Sequence, residues 1–416
     1  MLSNAVKGAE TKRPAPSGAP ERRRLGPELQ PISAGLLAGL VGFASTFAVV
    51  LQALAAVGAT RAEAASGLLA LLVVKGTLAI GLSLRTRMPI SIAWSTPGTA
   101  LLIATGVPAG GFPVAVGAFL AASGLIVAAG LWRPFGRAVR AIPVSLASAM
   151  LAGVLLDLCL APVRAVGTMP ALALPVVVAW AVAWRFARSY AIPIAVLVTA
   201  AIVMTATPLP EGALADINPH PIFVRPEFSG SALIGIAVPL FIVTMASQNI
   251  PGLAVLNSNG YHPQVGPIFV ATGLASAVIS FFGGHLVNLA AITAALCAGP
   301  DAHPDPSRRW IASVTAGATY LALGLTAGFA AAYVAASPPL LIQAAAGLAL
   351  LGSFGSAIQT ALAREDERVP AIVTFMTAAS GISYFGIGAA FWGLLAGGAM
   401  LGLSRIGYAR SAMGGR

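Results

Sequence analysis

The sequence predicts an all-α membrane protein of 14 transmembrane segments, arranged as two inverted sets of seven. Three observations carry this. The 416 residues are 57% hydrophobic and 9% charged, with a mean hydropathy of +0.87, whereas soluble domains are about 25% charged. Fourteen apolar stretches recur along the chain, judged against the roughly 20 residues a spanning helix needs. The basic residues alternate between the loops in the way membrane orientation demands.

The chain begins with Lys7, Lys12, Arg13, Arg22, Arg23 and Arg24 among Pro, Gly, Ser and Ala, a composition predicting a disordered tail over residues 1–30. No cleavable secretory leader is evident. The first seven segments cover roughly 31–57, 62–84, 91–106, 112–132, 141–161, 166–184 and 190–207. A polar, proline-rich loop over 208–230 separates them from the second seven, roughly 231–250, 264–282, 286–299, 310–336, 339–362, 370–380 and 384–404. Placing both termini in the cytoplasm puts twenty of the 24 Lys and Arg inside, three (Arg61, Arg164, Arg225) outside, and Lys75 within a span. An odd number of segments per half starts the second half from the opposite face, which is the condition for an inverted repeat. The net charge of +11 is thereby assigned to membrane orientation and not to nucleic-acid binding.

Segments three and ten are too short to cross as simple helices, and they occupy matched places in the two halves. In the third, Trp94-Ser95-Thr96-Pro97-Gly98-Thr99 starts a helix at membrane depth. Thr96 or Ser95 suits the N-cap and Pro97 the first helical position. In the tenth, Asn288 is placed to cap a helix over Leu289–Cys297. Helix N-termini at membrane depth need a polar partner, and paired interrupted segments point to a midplane binding site for an anion. Segment eight ends in Ser247-Gln248-Asn249 before Pro251-Gly252, and segment one carries Ser45, Thr46 and Gln52. The expected binding set is therefore Ser95, Thr96, Gly98, Thr99, Ser247, Gln248, Asn249, Asn288, Thr293 and Gln52. Lys75, Asp157 and His285 are the candidate proton-coupling residues. Tyr261 and His262 are expected at the membrane interface, and Cys159 and Cys297 as packing thiols. The chain offers no carboxylate pair, metal-ligand spacing or nucleotide-binding loop. No cofactor or metal is expected, and an enzyme or ATP-driven pump is disfavoured.

Ala93-Trp94-Ser95-Thr96-Pro97-Gly98, Val243–Asn249 with Pro251-Gly252, Ala290–Ala295, Asp301-Ala302-His303-Pro304-Asp305, Ala345–Leu350 and Phe391-Trp392-Gly393-Leu394 occur in an order that resembles the benzoate:proton symporter family, the BenE-type aromatic-acid transporters. The resemblance spans about 31–405. It implies a fold related to the uracil-type transporters. Core segments would cover 31–132 and 231–336, and gate segments 141–207 and 339–405. It further implies import of benzoate or a similar aromatic carboxylate with a proton, across the inner membrane, by movement of core against gate. Uracil-type relatives carry glutamates on segments eight and ten where this chain has none, so the proton travels on another residue or on the substrate. Nucleobase or inorganic-anion transport on the same fold, and an uncoupled anion channel, are the rival readings. Homodimers are an expectation by analogy of fold alone.

Overall fold

In the computed structural model, residues 29–132, 134, 143–206, 218–290, 292–385 and 387–414 are described; residues 1–28 of the basic tail and residues 208–217 of the 208–230 loop lie outside them. The elements, in chain order, are α1 (Gln30–Ala44), α2 (Phe47–Ala56), α3 (Arg61–Thr86), β1 (Ile92–Trp94), α4 (Thr96–Thr105), α5 (Phe112–Leu131), α6 (Val144–Thr168), α7 (Pro170–Phe186) and α8 (Ala191–Ala206). They continue with α9 (Gly230–Ser258), α10 (Val265–Ser280), β2 (Val287–Leu289), α11 (Ile292–Ala298), α12 (Trp310–Gly324), α13 (Ala327–Ala336), α14 (Pro339–Ala361), α15 (Arg368–Ala379), β3 (Ser383–Tyr384), β4 (Ile387–Gly388) and α16 (Ala389–Gly414). Each of the fourteen apolar segments falls on one of these elements or on an adjoining pair. Among the described residues, six helices are long and apolar enough to cross a bilayer unaided. The α12–α13 pair, bent by 62°, would be a seventh if it counts as one span.

The expectation of an all-helical chain is corrected at four short strands. β1 and β2 pair antiparallel, with Ala93 opposite Asn288, and β3 pairs with β4. The β-branched and aromatic run Ile90-Ser91-Ile92-Ala93-Trp94 carried that signal. The β1–β2 ladder satisfies backbone groups that would otherwise lie bare at membrane depth. It is extended at its ends by Ser95 N–H to Leu286 O (3.0 Å) and Ala290 N–H to Ser91 O (2.9 Å). A second correction concerns α6, expected to end near residue 161. It runs on to Thr168 with Pro162 inside it, because prolines are tolerated in membrane helices when neighbours supply the lost contacts.

Small residues set the spacing of the bundle. A Cβ on Gly76 of α3 would lie 2.6 Å from the carbonyl oxygen of Gly317 on α12, and one on Gly317 would lie 2.8 Å from that of Gly76. The packing divides the helices into two groups. One gathers α1 to α5 and α9 to α13, with α3 against α12 and α13, α5 against α10, and α2 against α4. In the other, α6 packs on α14 and α15, α15 on α16, and α7 on α8.

Candidate functional site

The strand crossing organises the site. Its antiparallel register sets the start of α4 level with residues 285–286 and the start of α11 beyond the opposite end of β1. The two half-helices therefore leave in opposite directions, each with its positive end towards the crossing.

Ser95 is the N-cap of α4, accepting from the Gly98 amide at 3.2 Å. Thr96 takes the first helical position and Pro97 the second. The Ser95 hydroxyl is also 2.6 Å from that of Thr244 on α9. Thr99, fully buried, turns its hydroxyl to the Thr96 carbonyl at 2.5 Å. Ser95 and Thr99 thus spend their side chains on the half-helix itself. Gly98 serves as close packing: a Cβ there would meet Leu240 Cδ1 at 2.6 Å. The amide of Thr96 is the one left over at this end, since Pro97 has none and Gly98 is capped.

Asn288 does not cap a helix. It lies in β2, fully buried, with Nδ2 donating to the Leu289 carbonyl at 2.8 Å and Oδ1 without a partner among the described residues. The helix begins later, at Ile292, because the ladder holds residues 287–289 extended. Thr293, in its first turn, is buried, its hydroxyl close to the Tyr320 phenol and without a well-formed hydrogen bond among the described residues.

α9 flanks one side of the crossing. It widens to π geometry at Leu233–Ala237 and again at Met245–Asn249, just before Pro239 and Pro251 take their places without amide protons. The second wide turn is tied at both ends. Thr244 holds Ser95, and Asn249 Oδ1 accepts from the Leu289 amide at 3.0 Å. Between these ties Ser247 and Gln248 are half-buried, with no polar partner for either side chain among the described residues. The break between α1 and α2 flanks the other side, where Thr46 Oγ1 accepts from Trp94 Nε1 at 3.0 Å. A Cβ on Gly42 there would lie 2.7 Å from Tyr320 Oη and 3.1 Å from Thr293 Cγ2.

Gln52 sits apart from the crossing. Its buried Oε1 has no partner among the described residues, and its side chain lines a cavity of about 320 Å³ between α2 and α4 on one side and α13 and α14 on the other. Leu51, Ile103, Val334 and Ile342 make it largely apolar, and Gln343 and Arg61 add polar edges.

The proton-coupling candidates separate. Asp157 lies on an exposed flank of α6 with its side chain 78% exposed, paired to Arg164 at 2.6 Å. His285 is fully buried, with both ring nitrogens unpartnered among the described residues and Phe119 edge-on at 6.4 Å. Lys75 lies under the crossing, its Nζ 4.0 Å from the Trp94 ring centroid and 3.6 Å from that of Tyr320. Tyr261 hydrogen-bonds the Pro306 carbonyl at 2.7 Å, and His262 stays exposed beside Asn257. Both cysteines are free thiols.

Sequence reasoning missed Thr244, Tyr320 and Arg309. The Arg309 guanidinium, buried, donates to the carbonyls of His303 (2.7 Å), Ala298 (2.9 Å) and Pro304 (3.3 Å). It thereby closes the C-terminal end of α11, where a cation suits the helix dipole. An arginine beside the Asp301–Asp305 run read as a topology marker, which hid this role.

Half-helices meeting at a buried strand crossing inside a multi-span helical protein define a membrane transporter with discontinuous helices. Residues 27–403 match the family model BenE, described as benzoate membrane transport protein, and the chain belongs to that family. It is 41% identical over 365 residues to the inner membrane protein YdcO of Escherichia coli (strain K12), covering 88% of this chain and 93% of that one. It is 32% identical over 372 residues to a benzoate membrane transport protein of Acinetobacter baylyi, covering 88% and 92%. Among solved structures, the transmembrane domain of the cyanobacterial bicarbonate transporter BicA matches with a TM-score of 0.55 at 16% identity, over 89% of this chain and 98% of that one. The murine anion transporter Slc26a9, in its inward-facing state, matches with a TM-score of 0.62 at 15% identity, over 96% and 74%. These two likenesses establish the fold.

Proposed function

We propose that the protein imports benzoate or a similar aromatic carboxylate together with a proton, by alternating access across the inner membrane. The observation that carries this is the wide turn of α9, tied to both strand junctions, in which Ser247 and Gln248 have no polar partner among the described residues. Gln248 and the Thr96 amide would donate to the carboxylate, and the Thr293 hydroxyl would complete the shell from the second half-helix. The family membership and the fold both support a carrier.

The fourteen apolar segments would form two inverted sevens with both termini cytoplasmic. The group around the crossing would be the core and the α6–α8 and α14–α16 group the gate. The apolar cavity at Gln52 lies where these two groups meet, and its size suits entry of an aromatic ring. Apolar walls favour that ring over an inorganic anion. Proton coupling has a simple electrostatic basis. An inside-negative potential opposes anion entry by about 2.3 kcal/mol per charge per 100 mV, and one accompanying proton removes that opposition.

Gln248→Leu tests the site. Losing a hydrogen bond to a charged group costs about 1.5–3 kcal/mol, which is roughly ten- to hundredfold in affinity. Labelled benzoate should bind the purified variant that much more weakly, with expression and solubility in detergent unchanged. Wild-type affinity in the variant would remove Gln248 from the site.

A further inference from the structure

Lys75 is 2% exposed at mid-length of α3. The elements packed against α3 are α2, α10, α12, α13, β1 and β2. Among their described residues none is Asp, Glu, His, Lys or Arg, and the titratable side chains are the phenols Tyr320 and Tyr333. On α3 itself the one carboxylate, Glu63, lies three turns away in the capping box with Thr60. Lys75 is therefore a buried amine with no acidic side chain on the described residues packed against its helix, and a buried ion needs a partner. What the protein supplies is a pair of aromatic faces, 3.6 and 4.0 Å away, which can hold an ammonium moderately well.

Both rings lead to the site. Trp94 ends β1 and immediately precedes the Ser95 cap of α4, and its indole is anchored to Thr46 at the α1–α2 break. Tyr320 places its hydroxyl at Gly42, the glycine that the Thr293 methyl also approaches. The amine thus sits behind the junctions of both half-helices, in contact with groups that touch each. The rival groups differ in placement. Asp157 is neutralised by Arg164 on an exposed flank, and His285, next to the Leu286 carbonyl that accepts from Ser95, lies at the α4 junction alone, facing Phe119 of α5.

We propose that Lys75 carries the coupled proton, as an ammonium while the carboxylate is bound and as a neutral amine in the empty carrier. This rests on the carboxylate-transport reading given above. A proton from the outer solution adds to the Nζ lone pair as the anion arrives. The loaded core then moves with anion and ammonium in balance. Inside, the carboxylate leaves, Nζ gives up the same proton to water, and the core returns with no charge on this residue. The chain needs no glutamate on α9 or α11 for such a cycle, because the missing anion of the lysine is the substrate itself.

The experiment counts protons. Purified wild-type protein, in weakly buffered solution above neutral pH, is mixed with sodium benzoate and a pH-sensitive dye, while labelled benzoate reports binding. Wild type should take up roughly one proton per benzoate bound, by linkage of the two equilibria. Lys75→Gln removes the amine and Lys75→Arg fixes the charge, since a guanidinium does not deprotonate in proteins. Both should take up none. In proteoliposomes, corrected for the neutral acid that crosses protein-free vesicles, both should still exchange labelled for unlabelled benzoate but fail to accumulate it with acid outside. Proton uptake by Lys75→Arg equal to wild type, or benzoate binding by wild type with no proton uptake, overturns the assignment to Lys75 alone. Wild type that binds no benzoate overturns the transport reading and this one with it. Should both substitutions prevent folding, His285→Gln decides. Proton uptake that survives it supports Lys75, and uptake lost with it refutes the proposal.

Discussion

Asn249→Leu should abolish concentrative benzoate uptake in proteoliposomes while leaving the protein inserted and monodisperse. The side chain is fully buried, and its Oδ1 is the partner of the Leu289 amide at 3.0 Å. Leucine matches the volume but accepts nothing. The orphaned amide then costs about 1–3 kcal/mol, and β2 relieves that cost by moving. Its movement carries Asn288 with it and shifts the junction from which α11 begins. The ten-residue half-helix α4 is linked to the same strand through the Ser95–Leu286 bond, so both halves of the crossing lose register with the Ser247–Gln248 turn. Global stability, spread over a large bundle, should fall by only the local cost. A variant that accumulates benzoate at the wild-type rate would show that the α9–β2 tie does not position the site.

Gly76→Val acts on the bundle instead. Two carbonyl–glycine contacts, each within 3 Å of a built Cβ, lock α3 to α12. On each side a backbone carbonyl, which cannot swing aside, lies in the way, with the Leu321 and Ile80 side chains beside it. A β-branched residue must therefore push the helix axes apart. Overpacking of this kind costs typically 1–3 kcal/mol, and more where it also opens the cage that α3 and α12 build around Lys75. The expected result is a clear drop in the thermal midpoint of the detergent-solubilised protein, with benzoate giving less protection than it gives wild type. An unchanged midpoint would mean that α3 and α12 are not held at this distance.

Much of this architecture was legible in the residues, and the reasons differ by element. Long apolar runs such as Arg61–Thr86 announce themselves by length, because a bilayer admits few alternatives, whereas the helix expected to end near residue 250 runs on through Pro251 to Ser258. The interruption at Ser95-Thr96-Pro97-Gly98 was legible because cap and proline chemistry is local. Its use was only half legible. Whether a hydroxyl serves substrate or backbone depends on its neighbours, and Ser95 and Thr99 proved to be turned onto their own helix. Asn288 was read as a cap since asparagine favours that role. The ladder with β1 overrode this preference through contacts nearly 200 residues apart in sequence. The same long range hid Tyr320 and Thr244. Each is an ordinary residue on an apolar helix until folding sets one beside Lys75 and the other beside Ser95.

The measurement that bears most directly on the account is a crystal structure with 4-bromobenzoate, whose bromine reports its position by anomalous scattering. The account predicts a single strong peak next to the strand crossing, with the carboxylate against Gln248 and the Thr96 amide and the ring pointing towards the interface between the two helix groups. A peak confined to the outer surface, or a ligand seated with its carboxylate away from the α9 wide turn, would contradict it.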